Sequence, residues 1–188
     1  MNTIKINLTK NVNLKFLSEE EIEAFTDIDI YLEYEDKTIK IFNNDYLKEA
    51  LDRINGSFLD VLNGKYKFPE NLDFNKGIYY YNELFLMSID ENSKYINIDF
   101  PKHDPTDKVS WLLSTNKGYQ TFLYSYKDYI YLEVVKAFEP KFDENENIDI
   151  NCFNDWLKDY SIDYRITISK PETETFLKNL KINFNSVI

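Results

Sequence analysis

The 188-residue chain has one cysteine, one histidine, four glycines, five prolines and two tryptophans. Each scarcity excludes something. With Cys152 alone there is no intrachain disulfide, which fits a reducing compartment. With one cysteine and one histidine there is no ligand set for a structural zinc site, and no metal is assigned. Any Ser-His-Asp or Cys-His nucleophile system would have to use His103, between Pro101 and Pro105 in an expected loop, and no glycine-flanked serine or other nucleophile motif accompanies it. Four glycines leave little room for phosphate-cradling loops, and the phosphate-loop, dinucleotide and kinase patterns are absent, so no cofactor is expected. No apolar run approaches the length needed to span a bilayer, and residues 1–8 lack the basic patch and apolar stretch of a signal peptide, so a cytoplasmic location is expected.

What the chain does have is aromatic content and acid. It carries 15 Tyr and 14 Phe, and its 33 acidic against 22 basic residues give a net charge of -11. The hydrophobic fraction of 43% is that of a folded globular chain and sits in a length suited to one domain, residues 1–188. An acidic chain is repelled by phosphate backbones and anionic lipid, so neither nucleic acid nor membrane is an expected partner, while a basic protein is.

Alternation of Ile4, Ile6 and Leu8 predicts a strand. Ser18 and Glu21 have capping-box spacing and predict a short acidic turn over Ser18–Phe25 that buries Ile22 and Phe25. Ile28, Ile30, Leu32 and Tyr34 alternate with Asp27, Asp29, Tyr31 and Glu33, which predicts a half-buried strand. Residues 38–42 return as its hairpin partner. Asn44 is placed as an N-cap, and Leu47, Leu51, Ile54, Phe58 and Leu62 predict an amphipathic helix over 45–62 that ends at Asn63-Gly64, with Gly56 as a weak point. Residues 77–89 and 93–100 are read as strands from their aromatic and branched content. Residues 109–114, 119–126 and 129–135 are read as an antiparallel meander joined at Asn116-Lys117-Gly118 and Lys127-Asp128. Phe153, Trp156, Leu157 and Tyr160 predict a helix, 162–168 a strand, and Ser169-Lys170-Pro171-Glu172 a second capping box that opens a closing helix. The fold class is α+β: a mainly antiparallel, strongly twisted sheet with three to four helices packed against it.

Candidate chemistry is sparse. Asp143, Asn145 and Asn147 copy the first ligand positions of a calcium loop, yet Ile148 stands where the sharp turn needs glycine and Asn154 where a bidentate glutamate closes the cage, so a solvated acidic loop is the better reading. Cys152 at a helix start reads as a small, partly buried residue. With 33 carboxylates, any pair suggestive of glycoside hydrolysis carries little signal. No catalytic residue is assigned.

One order of residues resembles a known group: Trp111, then Tyr124 to Tyr131 running into Leu132-Glu133-Val134, an acidic gap, Phe153-Asn154-Asp155-Trp156 and Tyr160, then Ile166-Thr167-Ile168-Ser169 before Phe176-Leu177. This spacing is similar to small α+β immunity proteins of bacterial polymorphic and contact-dependent toxin systems. It is a matter of aromatic spacing over residues 111–188 and implies no individual site residues. The resemblance implies a cytoplasmic, acidic, non-catalytic chain that blocks a toxin's active domain by binding it. Candidate contacts are Asp27, Asp29, Tyr31 and Glu33 on the polar face of the clean strand, with Asp143, Glu144 and Glu146. Two other classes stay open: an acidic DNA mimic or regulator, which needs a regular carboxylate stripe, and a carboxylate- or metal-dependent hydrolase, which needs a pocket holding two or more acids.

Overall fold

In the computed structural model the described residues are 1–115, 118–185 and 187, with the side chains of Asn44 and Asp45 outside the description. Two antiparallel four-stranded sheets organise them. The first has the order β1-β2-β3-β4, from β1 (Asn2–Asn7), β2 (Val12–Ser18), β3 (Asp27–Tyr34) and β4 (Lys37–Tyr46). After α1 (Leu47–Leu62) and α2 (Gly77–Ser88) comes the second sheet, β5-β6-β7-β8, from β5 (Ser110–Ser114), β6 (Tyr119–Tyr126), β7 (Tyr129–Lys136) and β8 (Tyr164–Ile168). Helix α3 (Ile150–Asp159) precedes β8, and α4 (Lys170–Asn183) follows it. The α+β class is as expected, with the strands divided between two sheets. Among the described residues no helix is long and apolar enough to cross a membrane.

Period-two alternation gives each strand of the first sheet one apolar face. Leu14, Phe16, Ile28, Ile30 and Leu32 are buried on it, and register shifts between β3 and β4 accompany the burial of both Ile41 and Phe42. The inner faces of both sheets, α1 and α4 share one apolar core. Phe16 meets Phe184 edge-on at 5.0 Å, and Phe58 meets Phe176 at 4.9 Å. Ser57 and Ser110 pin α1 to β5 through a buried hydroxyl pair at 2.6 Å. The far face of the second sheet is also covered, by residues 68–74, α2 and α3, and makes a second aromatic core around Phe122 and Tyr124. Among the described residues the first sheet's outer face carries no such layer of buried apolar side chains.

Several local expectations hold for the stated reasons. Ser169 and Glu172 form the reciprocal capping box, with the Ser169 N–H donating to Glu172 Oε2 at 2.8 Å. Gly64, at φ 75°, follows Asn63 at the end of α1. Gly56 lies within α1 and does not split it.

Others are corrected. Residues 77–89 form helix α2, not a strand: Ile78, Tyr79, Leu84 and Met87 are buried, and the apolar residues around the helix meet partners on more than one side, which hides the helical period behind aromatic content. Residues 93–100 hold no strand. A 3-10 turn spans Glu91–Tyr95, begun by the Asp90 carboxylate accepting from the Asn92 N–H. Ser18 ends β2, a strand that sequence reading missed, and its hydroxyl accepts from the Glu20 N–H rather than opening a capping box, while Phe25 is exposed instead of buried. Asn44 lies inside β4, and Tyr46 is the N-cap of α1. That helix needs no capping side chain, because carbonyls of Thr26 and Ala24 accept from the N–H groups of Leu47 and Lys48. The turn residues Asn116 and Lys117 lie outside the described residues.

Candidate functional site

The candidate contacts fall on two separate surfaces. Asp27, Asp29, Tyr31 and Glu33 lie on the outer face of β3, as their alternation requires. Lysines from β1 and β4 interleave with them. Lys40 Nζ lies 2.6 Å from Asp29 Oδ2 and 5.3 Å from the Tyr31 ring centroid, Tyr31 donates its hydroxyl to Asp29 at 3.3 Å, and Lys5 Nζ reaches Glu33 Oε2 at 2.5 Å. The Asp29 carboxylate pushes the Lys40 ammonium above its ordinary value. Two of the three acids here, Asp29 and Glu33, are matched by lysines, so this face is a charge mosaic rather than the regular stripe a DNA mimic needs. At its end, Glu19, Glu20, Asp27 and Asp29 line a groove of about 510 Å³ with Phe25 and Tyr46, whose rings meet edge-on at 6.0 Å.

Asp143, Glu144 and Glu146 lie on the loop before α3. Asp143 is an organiser of that loop: its Oδ1 accepts from the N–H groups of Asn145 at 2.8 Å and Asn147 at 3.0 Å, and its Oδ2 from the Asn92 amide at 3.1 Å. The Asn147 backbone bond, then the Asn92 and Asn145 bonds, hold its carboxyl below the usual range. Asp90 ties the same loop from the other side by accepting from the Ile148 N–H at 3.0 Å. Donors already occupy both oxygens that a calcium ion would want from Asp143. Among the described residues no group of three or more His, Cys, Asp or Glu side chains is arranged to hold a metal ion. Glu146 sits at φ 65°, a conformation that costs a non-glycine residue about 1–2 kcal/mol.

His103 is exposed and lines a cleft of about 720 Å³ with Asp99, Lys102, Asp104, Lys108 and Tyr81. Among the described residues no Ser, Thr or Cys lines that cleft, and the one hydroxyl there, that of Tyr81, accepts from the Asp73 N–H at 2.9 Å. Asp104 is committed to the Thr106 N–H and hydroxyl, at 2.8 and 2.6 Å. Cys152 is half-buried near the start of α3, its sulfur 3.9 Å from the Glu139 carbonyl oxygen.

Sequence reading missed the most deeply placed carboxylate. Glu133 is fully buried on the far face of the second sheet. Its Oε1 accepts from the first-turn N–H groups of α2, Ile78 at 3.0 Å and Tyr79 at 3.2 Å, and its Oε2 from the Tyr124 hydroxyl at 2.6 Å. Arg165, its register partner on β8, approaches to 3.4 Å and lies 4.1 Å from the Phe74 ring centroid. Burial, then the nearby Glu133 charge, pushes the Tyr124 hydroxyl far above its ordinary value. A carboxylate at a helix N-terminus meets both unpaired N–H groups and the positive end of the dipole. Its burial makes this group part of the framework rather than of any surface. The signal was a lone charge inside the otherwise apolar Ile130–Val135 run.

Together these features define an acidic α+β chain that joins two antiparallel sheets through a shared core and carries carboxylate-bearing surfaces on different layers. No protein-family model and no curated protein matches the sequence. The fold is similar to the crystal structure of CdiI from Burkholderia dolosa AUO158, with a TM-score of 0.50 and 11% identity, over 95% of this chain and 98% of that one. At that identity the likeness is one of fold. The resemblance read from residues 111–188 is therefore matched, as a fold, by a contact-dependent inhibition immunity protein across nearly the whole chain.

Proposed function

We propose that this chain is a non-catalytic protein-binding domain that acts as an immunity protein in the cytoplasm, neutralising a bacterial toxin domain by direct binding. The observation that carries this reading is the near full-length fold correspondence with CdiI. The net charge of -11 supports a basic toxin domain as partner, because complementary fields speed encounter. Contacts are assigned to the outer face of β3, through Asp27, Asp29, Tyr31 and Glu33, and to the acidic loop, through Asp143, Glu144 and Glu146. If a large secreted protein with a variable C-terminal domain is encoded immediately upstream of this chain's gene, that domain is the toxin to test. Expression of that domain alone should arrest growth, and co-expression of this chain should restore it, with a complex that co-purifies. Restored growth without a complex, or a complex without protection, would sink the proposal.

A further inference from the structure

Two loops meet beside α3, and their bonds differ in kind from those of the open sheet. The Asn92 amide donates to both Asp143 Oδ2 and the Ile148 carbonyl, at 3.1 and 3.0 Å, and Asp90 accepts from the Ile148 N–H. Asp149 N–H donates to the Lys141 carbonyl at 2.8 Å and closes the second loop on itself. Beneath them, Ile148 packs on the apolar cluster of Leu84, Met87, Ile96 and Phe153. Residues 86–95 and 141–149 are thus one fixed unit, and the ordering cost that a flexible loop would impose on binding is already met.

This unit leaves large apolar side chains in water. Ile89 is 74% exposed, Tyr95 66% and Phe142 61%, with Leu86 one helical turn before Ile89 at 44%. Single exposed apolar residues are ordinary, whereas these four lie on the two stretches that the Asn92 and Asp90 bonds hold together. The same two stretches hold six carboxylates against Lys94 and Lys141. The carboxylates of Asp90 and Asp143 hold the loops and that of Asp149 caps α3, whereas among the described residues no ion pair or hydrogen bond engages the carboxylates of Glu91, Glu144 and Glu146. On the outer face of β3, by contrast, Asp29 and Glu33 already have lysine partners.

We infer that the surface formed by Leu86, Ile89, Tyr95 and Phe142, rimmed by Glu91, Glu144 and Glu146, is the docking face for a cationic protein surface that presents arginine or lysine around an apolar anchor. Apolar side chains at the centre supply the affinity, and the free carboxylates at the rim supply charge matching and orientation. The inference rests on the proposed protein-binding role and narrows it to one of the two surfaces.

The test uses the full chain against the upstream-encoded toxin domain by calorimetry. Replacing Ile89 and Phe142 together with serine should weaken binding by about 100-fold or more, as expected for central anchors. Replacing Glu91, Glu144 and Glu146 with lysine should weaken it by about 10-fold or more and flatten its salt dependence. Ile182→Ser, which removes an equally exposed apolar side chain from α4, should leave affinity unchanged. Wild-type affinity in both loop variants, with thermal unfolding unaltered, would overturn the inference while the proposed function stood. If the toxin domain does not bind the unaltered chain, that function fails, and the surface is tested by titrating a short alternating arginine–tryptophan peptide into labelled protein. Amide shifts confined to residues 86–95 and 141–149, lost in about 0.5 M salt, support the docking face. Shifts elsewhere, or none, refute it.

Discussion

Glu133→Gln is the substitution that most directly tests how the second sheet and α2 are held together. Glutamine keeps the shape and one acceptor oxygen, so the N–H groups of Ile78 and Tyr79 retain a partner. The other oxygen becomes an NH2 group, 2.6 Å from the Tyr124 hydroxyl and 3.4 Å from Arg165. Tyr124 can turn its hydroxyl to accept, but Arg165 keeps a charge with no counter-charge, and its side chain is only 17% exposed. Removing one partner of a buried pair costs about 3–5 kcal/mol, and the surviving amide bonds place glutamine near about 3 kcal/mol. Glu133→Ala also strips the helix amides and belongs near about 5 kcal/mol. Urea unfolding is the assay: the midpoint should fall at constant slope, and the glutamine variant should melt about 6–12 °C lower. Pairing Glu133→Gln with Arg165→Met should be less damaging than the two single effects combined, because the stranded charge is gone. A glutamine variant within about 0.5 kcal/mol of the parent would refute the assignment of Glu133 as a charged keystone.

Three further outcomes follow from the same geometry. Gly77→Ala should destabilise by about 2 kcal/mol or more on the same urea assay, since a Cβ there would sit 2.6 Å from Glu133 Oε2 and 2.7 Å from Ile162 Cδ1, at φ 77°. Gly56→Ala should do the reverse, raising stability by about 0.5–1 kcal/mol, because a Cβ there meets nothing within 4 Å and the residue is helical. Asp143 has a folded pKa below its unfolded one, so its contribution is complete above the ordinary aspartate range and is lost as pH falls through the lowered value. Protection of the amides of residues 143–149, measured against unfolded-chain exchange rates at the same pH, should therefore hold down to about pH 4 and fall below it, and Asp143→Asn should remove that dependence.

How legible this fold was depended on what each residue faced. Strands with one wet face announced themselves: Ile28, Ile30 and Leu32 alternate with Asp27, Asp29 and Tyr31 because one side meets the core and the other water. The same contrast exposed α1, and Ser169 with Glu172 fixed the start of α4 through bonds local in sequence. Legibility failed where that contrast vanished. Helix α2 is surrounded by aromatic partners, with Tyr79 near Phe122, Trp156 and Tyr160, so its residues show no polar face from which to read a period. In β2 the alternating partners of Leu14 and Phe16 include Lys15 and Leu17, and Leu17 blurs the pattern. The loop acids were legible as acids, but their roles were not, since Asp90 and Asn92 lie more than fifty positions from the loop they bind.

That last point decides how the acidity of this chain should be probed. Three groups of its carboxylates do different things that composition cannot separate. Glu133 accepts from a helix end in the dry interior; Asp90 and Asp143 accept from loop N–H groups and Asp149 from the first turn of α3; Glu91, Glu144 and Glu146 are exposed and have no partner among the described residues. Asp143→Asn would leave one acceptor oxygen where Asn145, Asn147 and Asn92 now share two and so loosen the loop between Phe142 and Ile148, and a loss of binding in that variant would report a disturbed loop as readily as a lost contact. Glu144 and Glu146 lack such bonds, and their reversal alters the surface field while leaving the loop's own hydrogen bonds in place. The sequence nominated all three neighbours alike, whereas the structure makes only the two glutamates clean reporters of charge recognition. A deficit seen with Asp143→Asn but not with Glu144→Lys and Glu146→Lys would assign the acidic loop a scaffolding role and leave its apolar side chains to carry the contact.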